Sequence, residues 1–106
     1  MSYRFMRIIV FFDLPTNTHE DLTHYRHFRK LLLENGFLMM QESVYCRLLI
    51  TPSAEKRVIQ ELKKKKPPKG LVQVLTVTEK QFANMQYIVG ASSSDVIDSD
   101  ERLIVL

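Results

Sequence analysis

A carboxylate at the end of an unbroken apolar run is the group in this sequence best placed to do chemistry. Ile8-Ile9-Val10-Phe11-Phe12 reads as a buried strand, Asp13 follows it directly, and Leu14-Pro15 brings it to a stop. Pro15 has no N–H to give a ladder and biases Leu14 away from helix, so Asp13 is the last side chain the strand holds rigidly. Rigid placement is what a metal-binding or catalytic carboxylate requires. The same position also suits an acid that only opens a turn or caps the next helix, and the residue alone does not choose between the two.

The other reactive types give weaker patterns. His19, His24 and His27 lie close in sequence, but no further Cys or His completes a ligand set with them. On a helical wheel His27 falls on the solvent side and His24 at the margin of the apolar face, so they read as surface histidines. Ser43 has no evident His–Asp partner and reads as a hairpin residue. Cys46 sits inside a strand-like run and reads as buried. It is the only cysteine, so the chain can form no internal disulfide, which fits a reducing cytosol.

The basic residues say more. Arg26, Arg29 and Lys30 fall within an arc of about 100° at one margin of the first helix, and Lys56, Arg57, Lys63 and Lys64 within about 120° on the outer face of the second. Lys65, Lys66 and Lys69 extend the second group. Residues 1–70 hold thirteen Lys and Arg against seven acids, a balance of +6, and residues 71–106 hold two against five, a balance of −3. The basic part suits a polyanion such as a duplex backbone, and the acidic part is unsuited to one. A Lys-rich helical face also serves solubility alone. No aromatic-rich motif points to stacking on single strands.

These groups are positioned by a small set of elements. At 106 residues the chain is one domain, marginal if it folds alone. A strand over Tyr3–Phe12 leads to a helix over Thr18–Asn35, with Leu22, Tyr25, Phe28 and Leu32 at three- and four-residue spacing and Gly36 as its stop. Phe37–Met40 and Val44–Ile50 are two strands around a tight connection at Gln41-Glu42-Ser43. Ser53 is expected to cap a second helix over Ala54–Lys65, with Val58, Ile59 and Leu62 inward, and Pro67-Pro68-Lys69-Gly70 ends it. Leu71–Val77 is the fourth strand, Thr78 caps a single turn carrying Phe82 and Met85, and Tyr87–Val89 is a further short strand.

The order strand, helix, strand, strand, helix, strand predicts an α+β, ferredoxin-like βαββαβ domain over residues 1–90, its antiparallel sheet carrying both helices on one face. The strands leave few polar side chains for a face in water. With no helix left to cover that second face, an identical sheet packed against it, a face-to-face homodimer, is the simplest cover. Residues 91–106 form a polar linker and an extra C-terminal strand, Leu103-Ile104-Val105-Leu106, whose natural place is a free sheet edge. The apolar run at the N-terminus is too short for a membrane span or a signal-peptide core and is cut by Asp13, so a cytoplasmic protein with no membrane contact is expected.

Taken together, Phe12-Asp13-Leu14-Pro15, Gly36-Phe37 and Gln41-Glu42-Ser43-Val44-Tyr45 resemble the hallmarks of the CRISPR-associated Cas two family, the small subunit of the adaptation module and partner of the Cas one integrase. The segments Leu75–Ala83 and Ser99–Leu103 look like the version found beside a single large RNA-guided effector nuclease. The resemblance implies a homodimer that bridges Cas one integrase dimers and holds the duplex prespacer DNA captured as a new spacer, with Leu103, Ile104, Val105 and Leu106 helping to dock Cas one. It also implies the alternative, a stand-alone Mg²⁺-dependent endoribonuclease or DNase in which Asp13 from both protomers bridges the metal. One carboxylate supplies one or two of the roughly six oxygens Mg²⁺ wants, and a two-fold axis would bring a second. Many relatives with nuclease activity carry basic residues just after the first turn and an Arg near the start of the second strand. Here those places read Thr16-Asn17-Thr18-His19-Glu20-Asp21 and Leu38-Met39-Met40, so the scaffold reading is favoured over the catalytic one.

Overall fold

Alternation along a strand sends successive side chains to opposite faces, and the central strand of this protein uses the two faces differently. In the computed structural model, which describes residues 5–91, β1 (Met6–Asp13) pairs antiparallel with β3 (Val44–Leu49) on one side and β4 (Leu71–Thr78) on the other. The short β2 (Leu38–Gln41) completes the order β2-β3-β1-β4. With α1 (His19–Glu34) and α2 (Pro52–Lys64) this is the expected ferredoxin-like βαββαβ arrangement.

Ile8, Val10 and Phe12 of β1, with Tyr45 and Leu49 of β3, form one face of the sheet. Phe28, Leu31 and Leu32 of α1 and Ala54, Val58 and Leu62 of α2 close over it. Ile8, Val10, Leu32, Phe37, Tyr45 and Leu49 are fully buried. Each such side chain contributes about 1.5–3 kcal/mol relative to exposure, which makes this layer the source of stability.

Local chemistry fixes the ends of α1. Thr18 Oγ1 accepts from the Asp21 N–H at 3.0 Å, and the Asp21 carboxylate accepts from the Thr18 N–H at 3.2 Å, a reciprocal capping box. At the other end Gly36 takes φ +82°, and the following Phe37 N–H returns to the Leu32 carbonyl at 3.0 Å.

Two sequence expectations fail. The cap of α2 is Thr51 and not Ser53, because Pro52 occupies the first helical position, where its fixed φ and missing N–H cost nothing. Tyr87–Val89 forms no strand, and Ile88 and Val89 are about nine-tenths exposed. Strand-forming residue types predict pairing only where an edge lies alongside to pair with. The residues Leu103–Leu106 lie outside the described residues.

The second sheet face differs from expectation as well. A third helix, α3 (Glu79–Ala83), capped by Thr78 through a second capping box, lies against it. Arg7, on that face of β1, holds Glu79 by two bonds, Nε to Oε1 at 3.0 Å and Nη2 to Oε2 at 2.6 Å. Its guanidinium lies 4.4 Å from the centre of the Phe82 ring. Part of the face is therefore covered from within the chain, and Ile9 and Cys46 are buried there. Burial pushes the Cys46 thiol up from its ordinary value, with Arg7 opposing. Leu38, Leu71 and Leu75 remain more than half exposed.

Candidate functional site

Asp13 is where the sequence places it, the last residue of β1, paired with Leu71 of β4. It is exposed while its neighbours Phe12 and Leu14 are buried. Phe12 is locked among aromatic rings, with centroids 5.2 Å from Phe28, 5.6 Å from Tyr45 and 5.9 Å from Tyr25. The hydroxyl of the buried Tyr45 accepts from Arg29 Nε at 2.9 Å, which satisfies the polar tip of that cluster.

Two further contacts clamp the strand end. The Phe12 N–H donates to the Ser43 carbonyl at 3.0 Å, so the hairpin tip between β2 and β3 is tied to the residue before Asp13. Ser43 reaches this position with φ +67°, in the left-handed region, as a tight turn demands. Its role is the hairpin role read from the sequence. On the other side Gly70, at φ +100°, lies so close that a Cβ there would stand 2.8 Å from the Asp13 carbonyl oxygen and 2.7 Å from Leu14 Cδ2. Only glycine fits against the strand end at that distance.

What surrounds the Asp13 carboxylate bears on chemistry. A shallow depression of about 180 Å³ beside it is lined by Phe11, Ser43, Val44, Leu71 and Gln73, with no Lys, Arg or His. Asp13 makes no side-chain hydrogen bond or ion pair among the described residues. Those residues also contain no group of three or more His, Cys, Asp or Glu able to hold a metal ion. One chain therefore offers a divalent cation a single rigid carboxylate, too few oxygens for Mg²⁺.

The predicted polyanion-binding residues lie elsewhere. Arg26, Arg29 and Lys30 on α1, Lys56, Arg57, Lys63 and Lys64 on α2, and Lys65, Lys66 and Lys69 beyond it are all exposed. The fold sets them on the helical layer and in the loop after it, and does not gather them around Asp13. Three are already engaged, Arg29 through its bond to the Tyr45 hydroxyl. Lys65 pairs with Glu61 at 2.8 Å, and Lys69 with Asp21 at 3.2 Å. Asp21 is buried, and burial opposes its ionisation. The Lys69 ammonium and the Thr18 N–H outweigh that and hold the carboxyl below its ordinary value. Sequence reasoning missed Asp21 as the anchor of the Pro67–Gly70 loop, although Thr18 three residues before an acid is a capping-box signal. It also missed Arg47, which on an apolar strand gave no pattern to notice.

Comparison with known proteins follows the same line. The family described as "CRISPR associated protein Cas2" matches residues 6–85. A protein of Treponema denticola named "CRISPR-associated endoribonuclease Cas2" is 50% identical over 101 residues, 95% of this chain and 100% of the relative. A protein of the same name from Streptococcus mutans (strain ATCC 700610 / UA159) is also 50% identical over 101 residues, 95% of this chain and 93% of its own. A solved structure titled "Crystal structure of cas2" superposes with a TM-score of 0.60 at 21% identity, covering 85% of this chain and 92% of that one, and shares the fold.

Proposed function

Because the chain belongs to the Cas2 family of CRISPR-associated proteins, we propose that it acts as a dimeric scaffold of spacer acquisition: two copies bridge Cas one integrase dimers and hold duplex prespacer DNA between them. The observation that carries this reading is the separation of charge from Asp13. The exposed cations of α1, α2 and the loop after α2 lie on the helical side, and the depression beside Asp13 has none. A duplex of arbitrary sequence is held by phosphate contacts, which position without reading bases. A nuclease centre needs positive groups at the reacting phosphate, where charge develops.

In this reading the exposed Leu38, Leu71 and Leu75 meet a second copy, and a rigid two-fold spacer fixes the distance between the two integrase centres. Leu103, Ile104, Val105 and Leu106 supply a docking edge for Cas one. The complex acts in the cytoplasm, where Cys46 stays reduced.

A second reading has one observation in its favour: Asp13 is both rigid and exposed. As a Mg²⁺-dependent endoribonuclease or DNase the protein would use Asp13 of both protomers, since one chain does not fill the metal's needs. Asp13→Asn separates the readings, because it removes charge and ligand capacity at nearly constant volume. Spacer acquisition in cells should persist in a variant that still dimerises and binds Cas one. Its collapse in such a variant would overturn the scaffold reading.

A further inference from the structure

A wide concavity lies on the helical side, away from Asp13. It is a groove of about 500 Å³ between the C-terminal end of α1 and α2, floored by Val58 and walled by Asn35, Arg47, Arg57, Glu61 and Lys64. Arg47 reaches it from β3. Being opposite Ile8 in the ladder, it projects to the helical face of the sheet, and a Cβ added at Gly36 would stand 3.6 Å from its Nε. Arg47 is half-buried, and Arg57 and Lys64 are exposed at the rim.

The charge balance of this groove is uneven. Glu61 is its only acid, and that carboxylate is bound by Lys65 at 2.8 Å, which holds it below its ordinary value. Arg47, Arg57 and Lys64 have no carboxylate within ion-pair distance among the described residues. Three cations thus share one concave wall with their counter-charge already spent. A half-buried guanidinium in that setting has lost part of its hydration without gaining a partner. A concave wall of one sign also concentrates the field in the opening.

The lining narrows the choice of anion. Val58 is the one apolar residue, so the groove lacks the greasy walls that hold most small molecules. No aromatic ring lines it, so no base can stack there. What remains is recognition of phosphate itself, open on one side as a passing backbone requires. We propose that the α1–α2 groove is a phosphate-binding site for a duplex nucleic-acid backbone, with Arg47 as its central donor and Arg57 and Lys64 as its rim. It rests on the scaffold reading for its ligand and adds a residue, Arg47, and a place that surface charge alone does not define. An Arg suits the centre because its planar fork can meet two phosphate oxygens at once.

The test titrates full-length protein with a 20-base-pair duplex of arbitrary sequence and, separately, with pyrophosphate, following the Arg47 Nε–H resonance by NMR. Duplex affinity is also measured against salt for wild type, for Arg47→Gln and for the double variant Arg57→Gln/Lys64→Gln. The double variant changes only exposed side chains and keeps the test valid if Arg47→Gln folds poorly. Both ligands should shift the Arg47 resonance saturably. Each lost phosphate contact should make the log–log salt slope shallower by about one unit. Wild-type binding with slopes unchanged in both variants would overturn the groove and leave the scaffold reading standing. Pyrophosphate binding without a duplex effect at Arg47 would overturn the nucleic-acid assignment in favour of a small phosphoanion. Failure of wild type to bind duplex at all would overturn both readings together.

Discussion

Replacing Gly70 by Ala should be the most damaging single-methyl change near Asp13, and two other glycines provide its internal scale. All three have positive φ: +82° at Gly36, +100° at Gly70 and +93° at Gly90. They differ in what a new Cβ meets. At Gly90 nothing lies within 4 Å, at Gly36 the nearest atom is Arg47 Nε at 3.6 Å, and at Gly70 the Asp13 carbonyl oxygen lies at 2.8 Å. Gly36→Ala therefore reports the backbone penalty alone, about 1–2 kcal/mol. Gly70→Ala adds an overlap that the end of the Leu14 side chain can relieve by moving but the Asp13 carbonyl, held in the β1–β4 ladder, cannot. Overpacking of that kind costs about 1–3 kcal/mol, for a total of about 2–5 kcal/mol. Urea unfolding at one fixed protein concentration measures the series, since any self-association would make apparent stability concentration-dependent. Gly90→Ala, at the exposed edge of the described residues, should cost least. If Gly70→Ala proves no worse than Gly36→Ala, the end of β1 yields freely, and the argument that Asp13 is rigidly held is wrong.

Thr18→Ala removes one half of the α1 capping box and should cost about 1 kcal/mol in the same urea assay. Because the folded-state pKa of Asp21 is depressed, its contribution to stability should be complete above the unfolded carboxyl value near 4 and fade as pH falls through the lower folded value. Lys69→Met should flatten that acid limb, as followed by thermal melts from pH 6 down to 2. For Arg7 and Glu79, a double-mutant cycle with Arg7→Gln and Glu79→Gln should give a coupling of about 1 kcal/mol, given its bidentate geometry and partial exposure. Salt that left the coupling untouched, or a coupling near zero, would mean that Phe82 and not the ion pair holds α3.

Periodicity carried most of the fold. The spacing of Leu22, Tyr25, Phe28 and Leu32 located α1 to within a residue at each end, because Thr18 and Gly36 mark its limits by backbone chemistry that needs no tertiary partner. Asp13 was legible for the same reason: Pro15 ends the strand wherever the rest of the chain lies. What escaped depended on distant contacts. The covering of the second sheet face by α3 requires Arg7 to meet Glu79, seventy-two positions away, and no local pattern announces it. Tyr87–Val89 was misread because strand-like composition does not create an adjacent edge. Arg47 looked like an ordinary interruption of a strand until α2 supplied Arg57 and Lys64 beside it.

The sheet order also sets a timetable. β1 precedes the other strands of the sheet, yet its ladder to β4 joins Asp13 to Leu71 and Met6 to Thr78, so one edge of the central strand stays open until residues 71–78 have been synthesised. Pairings this far apart in sequence must offset a large loop-closure entropy before any contact is gained, which slows folding and leaves an apolar edge exposed in the interval. The strand that bears Asp13 is thus the earliest to appear and the last to be secured on both sides. A nascent chain halted before residue 71 would present that unpaired edge to whatever strand lies nearest.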